Sequence, residues 1–450
     1  MTDSMLTPPA PSMSPERLRI VIEDLWQLSM RSEEGVHRSR AFCSLEDACR
    51  SIYLGLEESR LHRAPSAKVT PSVLSRALHN FFRWNGAPWF GDRTPDAAET
   101  AESLHRAFLR KSVRRTYLVP LDRLSLEDRS GDRTQEVTSV RFGSNEIVRL
   151  DGDDLARRVP VDALARFGVR YRFPTAELDG FYWLATRPTE PAGPLERRTW
   201  LDRLNTVWGK LDTVELFRST YPMPVEDALF VLLLIFLKDP GDALWRPFRI
   251  PWMFSFTDDP FSDPVAPPDP SSLSRQVVGD EYDYIEVPDR SEIFEFGARE
   301  HDVLQQRWND FETVLGRRGP ASASFHPLTR HFFIKPLSEY GVDEIISNLS
   351  CLEATLRLKE ERRREKLTRR FAHLVADEQA AQWLESTYRL RNEYLHSLAD
   401  PHQKLTWTDL ARARWIVATA VKNYLDFAVK HPEFNRSRLL KLLERQPQVL

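Results

Sequence analysis

The 450-residue chain has only three cysteines, Cys43, Cys49 and Cys351. Their spacing gives neither a disulfide framework nor a set of metal ligands, and Cys43 and Cys49 lie in a helical-looking stretch, so buried thiols are the default expectation. Net charge is almost absent as well, at -3 over the whole chain, so no strong overall field draws the molecule onto nucleic acid. The longest apolar run, Ala228 to Leu237, is too short to span a bilayer and reads as a buried core helix. The opening MTDSMLTPPAPSMSP lacks the basic and apolar regions of a secretory signal, so a cytoplasmic protein without membrane contact is expected. Also missing are a phosphate-binding Gly-Lys loop, a G-x-S-x-G elbow, H-E-x-x-H and a dinucleotide fingerprint, which lowers the expectation of an enzyme in the N-terminal part. No internal repeat is visible.

What is present reads as a multidomain α+β protein. Hydrophobic residues make up 41% and charged residues 29%, ordinary values for a globular chain long enough for two or three domains. Residues 1–112 look mainly helical. Ser14-Pro15-Glu16 opens a segment in which Leu18, Val21, Ile22, Leu25 and Leu28 recur at helical spacing, and Thr70-Pro71 and Thr94-Pro95 open two more. Phe81, Phe82, Trp84, Trp89 and Phe90 surround Asn85-Gly86 and read as a core cluster at a turn rather than a base-stacking surface. Residues 113–255 read as a mixed α+β region. Its short β-branched and aromatic runs are RRTYLVPL, EVTSVRF, EIVRL, RYRF and FYWLATR, interrupted by PVEDALFVLLLIFLK. The Pro- and Asp-rich stretch 256–291 has the composition of a linker or long loop. Its acids, like Asp151, Asp153 and Asp154, lack calcium-loop spacing and read as solvated turn residues. A connecting helix is expected in 292–325. From 326 to 450 the chain reads as an all-α bundle of long helices with short connections. Within residues 341–450 there are 19 Lys+Arg against 15 Asp+Glu, a modest basic bias compatible with phosphate contact.

The chemistry-bearing residues fall late in a bundle helix, in Arg391-Asn392-Glu393-Tyr394-Leu395-His396. As a bare pattern R-x4-H is weak, and Arg31 with His37 fits a looser gap, although Gly35 between them argues for a turn. Asn392 and His396, four apart, share a helix face, and the long Arg391 side chain can curl toward the imidazole or reach a facing subunit. Leu384, Tyr388, Leu395 and Leu398 would supply the packing stripe. The bland alternative is a His near a helix C-terminus interacting with open carbonyls, beside a solvated Arg-Asn pair.

Together, NLSCLEATL, RREKLTRRFAHLV, the YRLRNEYLH helix and a final long helix resemble the HEPN fold, in particular the HEPN domain of ApeA-like bacterial antiphage proteins. The resemblance covers about a quarter of the chain and does not extend to residues 1–320. It implies an endoribonuclease that needs no metal or other cofactor, acting as a homodimer whose two motifs face each other. Arg391 and His396 would be catalytic, Asn392 the polar residue after the Arg, and Glu353 and Tyr394 supporting groups. Arg362, Arg363, Arg364, Lys366, Arg369 and Arg370 form a basic run that could line the RNA path or be a solvated helix face.

The chemistry fits these residue types. RNA carries its own nucleophile, the 2′-OH, so the protein needs only proton transfer and charge stabilisation. Histidine titrates near neutrality, and arginine offers a planar cationic fork to phosphate oxygens. The expected product is a 2′,3′-cyclic phosphate with a 5′-OH. The N-terminal region would sense a trigger, restrain the nuclease or select substrate, with tRNA among the candidate RNAs and a trigger or antitoxin as a further partner. The alternative is a non-catalytic HEPN module that binds RNA, a nucleotide or a partner protein. On the first reading, deletion of residues 1–320 is expected to leave a dimer with less controlled cleavage.

Overall fold

The computed structural model describes residues 15–28, 33–61, 71–91, 94–131, 133–199, 221–237, 247–264, 269–279, 284–315, 327–361, 364–396 and 405–445. The N-terminal helices are α1 (Pro15–Trp26), α2 (Glu33–His37), α3 (Arg40–Leu61), α4 (Pro71–Asn85) and α5 (Ala97–Leu109). Two of them begin at a proline, whose fixed φ suits the first helical turn, and Asp96 caps α5 by accepting from the Glu99 N–H. Their apolar faces enclose a core of their own. Four of the five expected aromatics lie there: Phe81, Phe82 and Trp89 are buried, Phe90 packs against them, and Trp26 places its ring 5.7 Å from Phe82 and 5.6 Å from Trp89, whereas Trp84 is half-buried and packs instead against the core of the sheet. Gly86 takes φ 88°, the left-handed turn that ends α4. Cys49 and Cys351 are buried, but Cys43 is exposed, because it lies off the apolar face of α3. Gly35 lies within α2 rather than in a turn; Arg31 is outside the described residues.

The central region is built on β1 (Ser112–Pro120), β2 (Leu124–Asp128), β3 (Gln135–Glu136), β4 (Ser139–Phe142), β5 (Asn145–Arg149), β6 (Tyr182–Thr186), β7 (Thr189–Pro191) and β8 (Phe254–Thr257). A six-stranded sheet runs β4-β5-β6-β1-β7, with β8 also on β1, and all of these pairings are antiparallel. Short helices α6 (Gly152–Arg158), α7 (Val161–Arg166) and α8 (Leu195–Thr199) follow strands of this sheet. RYRF is not a strand. Gly168 at φ 116° turns the chain into a single 3-10 turn over Val169–Tyr171, and none of those three residues is buried. The acid-rich turn at Asp151 is the cap of α6, its carboxylate accepting from the Asp154 N–H.

Residues 256–291 are not a free linker. Thr257 ends the sheet strand β8, and β9 (Arg275–Gly279) and β10 (Tyr284–Pro288) pair with each other. The acids that suggested a solvated loop hold long-range partners. Asp259, 1% exposed, binds the Arg198 guanidinium through both oxygens at 2.7 and 2.8 Å, and Asp263 Oδ1 accepts from Asn80 at 2.8 Å and from Arg76 at 3.2 Å. Strand β11 (Glu292–Glu295) then pairs parallel with β2.

Helix α9 (Met223–Phe236) is apolar on every side and buried from Ala228 to Phe236, as a segment enclosed by other elements must be. After α10 (Ala298–Leu315), the expected connecting helix, the C-terminal region is wholly helical: α11 (Pro327–Ile334), α12 (Val342–Leu356), α13 (Glu365–Val375), α14 (Glu378–His396), α15 (Trp407–Lys430) and α16 (Arg436–Arg445). The stretch from Val342 to Val375, which reads as one helical segment, is two helices, because Arg357 leaves the helical conformation after α12. The protein is thus mixed α+β with a helical C-terminal region. One continuous apolar core runs from the sheet through α9 and α10 into that region, so the sheet and the C-terminal helices are not separately packed. No helix among the described residues is long and apolar enough to cross a membrane.

Candidate functional site

Burial along α14 decides where each motif residue can point. Ala380, Leu384, Thr387 and Tyr388 are buried at intervals of three and four, a stripe packed against α12, α13 and α15. The stripe ends there: no residue from Arg389 to Leu395 is buried. Leu395, expected to continue it, is 49% exposed, and Leu398 lies outside the described residues. The R-x4-H motif therefore occupies an accessible helix end. His396 is the last helical residue of α14, and its side chain is outside the described atoms.

Arg391 lies 3.8 Å from Glu353 Oε1, a carboxylate carried by α12. That carboxylate is shared. Arg357, the extended residue that follows α12, donates to Oε2 at 3.3 Å, and the Tyr388 hydroxyl donates to Oε1 at 3.4 Å. Burial pushes the Tyr388 phenol well above its ordinary range, and the negative Glu353 adds to the shift, so the hydroxyl stays protonated as a donor. The Arg391–Glu353 separation is longer than a tight charge-assisted hydrogen bond of roughly 2.7–2.9 Å. The pair therefore orients the guanidinium while leaving N–H groups able to meet another anion.

These residues line one open cleft of about 850 Å³, into which Asn392 and Arg369 also reach. Arg364 closes one side, its guanidinium 4.4 Å over the Tyr388 ring and 2.8 Å from Glu385. Four arginines and three glutamates face the cleft. Among the described residues, Arg369 has no acid within ion-pair distance.

The structure thus joins Arg391, Asn392, Glu353, Arg364 and Arg369 in one cleft and leaves other expected residues out. Tyr394 is half-buried but does not line the cleft. Lys366 turns to Glu361 and Glu444, at 3.5 and 3.8 Å. Arg362 and Arg363 lie outside the described residues. Arg370 cannot line an RNA path. It is fully buried, held by both oxygens of Glu361 at 2.6 Å, by Glu444 and by the Leu356 carbonyl at 2.7 Å. Burial works to raise the Glu361 carboxyl, but the hydrogen bonds from Arg370 and the Leu358 N–H outweigh it and hold the group at about 2. The physical reason is position: Leu367, Arg370, Phe371 and Leu374 share the inward face of α13. Arg357 was not foreseen as part of the site. Spacing of four from Glu353 is no sequence signal for it, because Arg357 is the extended residue that ends α12.

Among the described residues no group of three or more His, Cys, Asp or Glu side chains is placed to hold a metal ion. No family model, curated protein or solved structure matches the chain.

Proposed function

We propose that the chain is a metal-independent endoribonuclease of the HEPN type, acting through Arg391 and His396 of two facing protomers. The observation that carries this reading is the loose Arg391–Glu353 pair at 3.8 Å, on an accessible helix end that opens to an arginine-rich cleft. A purely structural arginine would be buried and saturated with acceptors, as Arg370 is.

In the proposed reaction, one His396 imidazole takes the proton of the ribose 2′-OH. The new alkoxide attacks the adjacent phosphorus and expels the 5′-oxygen, which receives a proton from the second His396. Arg391, always cationic, meets the phosphate oxygens as charge accumulates. Glu353 and Tyr388 are positioning residues: they hold the guanidinium through the carboxylate and keep that carboxylate in place. A two-fold axis near the end of α14 supplies the second imidazole. Supporting such an axis, Leu395 and Trp407, the described residues flanking the end of α14 and the start of α15, are 49% and 64% exposed; apolar side chains in such positions are suited to cover by a second copy.

The test is incubation of wild type, His396→Ala and Arg391→Ala with total cellular RNA in EDTA, followed by mapping of the new ends. Wild type is expected to leave 2′,3′-cyclic phosphates, and each variant to lose at least about a hundredfold in rate, within the usual contribution of a positioned acid–base group. Undiminished cleavage by His396→Ala rejects the assignment. RNA binding without cleavage by wild type would instead point to a non-catalytic HEPN module.

A further inference from the structure

A second cleft, unrelated to the R-x4-H motif, lies at the seam between the N-terminal helices and the central sheet. Its volume is about 770 Å³, within the roughly 300–1,000 Å³ of small-molecule sites. It is walled by α4 and α5 on one side and by the start of β1, the end of α6 and the segment after β8 on the other. Six arginines face it: Arg106, Arg110, Arg114, Arg157, Arg158 and Arg187. The acids lining it are Asp258 and Asp259, and both are committed. Asp259 is bound bidentately by the buried Arg198, while Asp258 pairs with Arg110 at 2.6 Å and accepts from the Arg114 backbone N–H at 2.8 Å.

Arg158 and Arg157 hold acids outside the cleft, Glu146 and Asp154. For the side chains of Arg106, Arg114 and Arg187, no acid stands within ion-pair distance among the described residues. Three uncompensated guanidiniums, drawn from three different elements into one concavity, raise the local potential at the expense of folding unless an anion is bound. Guanidinium forks suit phosphate oxygens in particular. The wall is not uniformly polar: Trp84 and Phe256, each half-buried, also face the cleft. Trp84 is fixed by its indole N–H, which donates to the Ser262 carbonyl at 2.7 Å.

We propose that this cleft binds a nucleoside polyphosphate, with the phosphates on Arg106, Arg114 and Arg187 and the base against the Trp84 and Phe256 side. The ligand would bridge two separately packed cores, the N-terminal helical core and the core of the sheet. Its binding is read without reference to RNA cleavage, so the proposal stands or falls apart from the nuclease assignment.

The experiment is titration calorimetry of the full chain with ATP, GTP, inorganic tripolyphosphate and a 5′-triphosphorylated RNA oligonucleotide. Wild type is compared with Arg106→Ala/Arg187→Ala, whose replaced side chains are exposed; circular dichroism checks that the variant is folded. At least one nucleoside triphosphate is expected to bind, with tripolyphosphate at least about tenfold weaker, and the double variant is expected to lose about tenfold or more. Binding of the free nucleotide supports a small-molecule occupant, and binding of the oligonucleotide alone supports the same group at an RNA end. Tripolyphosphate binding as tightly as any nucleotide overturns the base contact. A folded double variant that binds as well as wild type, or no binding by any probe at about 1 mM, overturns the site.

Discussion

A guanidinium enclosed by carboxylates is part of the fold, whereas one held loosely at a surface is available for chemistry; Arg370 and Arg391 stand at these two ends. Arg370 joins α13 to the Glu361 turn and to Glu444 of α16 while fully buried. Removing one partner of such a cluster strands charge in the interior, at a typical cost of about 3–5 kcal/mol. Arg370→Ala should therefore lower stability by that order, read as a shift in the urea unfolding midpoint, while the folded fraction keeps any RNA binding that the wild type shows. A variant of unchanged stability with weakened RNA binding would put Arg370 back on the RNA path. The cluster also has an acid limit. The Glu361 carboxyl is depressed from its ordinary 4.5 to about 2, so its contribution is complete above about 4.5 and is lost as pH falls through 2.

At the scale of elements, α9 meets α11 through the Asp227–Arg330 ion pair and a 3.4 Å contact between the Glu226 carboxylate and His331 Nδ1. Burial pushes the Asp227 carboxyl up to about 6 although Arg330 pulls it down. A raised carboxyl works in the opposite sense to Glu361. The folded chain holds a proton there between about 6 and the ordinary 3.8 while the unfolded chain does not, so this group favours folding more as pH drops through that window. Asp227→Asn should remove a pH-dependent component on the order of 3 kcal/mol, seen as a difference between the slopes of stability against pH for the two proteins. Parallel slopes from pH 4 to 6 would show that the carboxyl is not raised. How such elements could be read from the sequence differs by kind. Helix starts were legible at Pro15 and Pro71, where a proline opens the first turn, but the Thr94-Pro95 signal fell short of α5, which is capped by Asp96, and the Thr406–Asp409 capping box of α15 was not read. The motif helix was legible from periodicity, but not the end of its buried stripe, because Leu395 continues the spacing after its neighbours have ended. Residues 256–291 were misread because composition cannot show that Asp259 is answered by Arg198, 61 residues away. In the basic run, Arg370 differs from Arg369 by lying three after Leu367 and four before Leu374, on the inward face of α13, but composition alone treats the two alike.

The whole molecule is organised by two cores rather than by the composition boundaries of its sequence, and this governs which pieces can exist alone. The N-terminal helices have a core of their own, completed from outside by Leu195 and Phe261. The sheet and the C-terminal helices share the other. Phe230 of α9 lies 5.2 Å from Phe311 of α10 and 5.2 Å from Phe333 of α11, while Trp308 of α10 reaches Phe142 of β4 at 5.6 Å. Arg307 ties α10 onward to Asp426 of α15. Cutting the chain at about residue 320 would strip α9 and α10 from the C-terminal helices and expose Phe333, Ile334 and Leu337, now at most 6% exposed. At about 1.5–3 kcal/mol for each such side chain, those three residues alone consume much of the roughly 5–15 kcal/mol by which a domain is stable. Arg330 would also lose Asp227. The fragment 321–450 is therefore expected to be aggregation-prone or molten, with weak thermal cooperativity, rather than a well-folded and less restrained nuclease. A fragment beginning at residue 112 keeps the shared core intact and exposes chiefly Leu195, Phe261 and the arginine-lined seam, so it should unfold cooperatively and keep any cleavage that depends on the α14 motif. A cooperative, monodisperse fragment 321–450, seen by calorimetry and size-exclusion chromatography, would show that the C-terminal helices do not need the core they share.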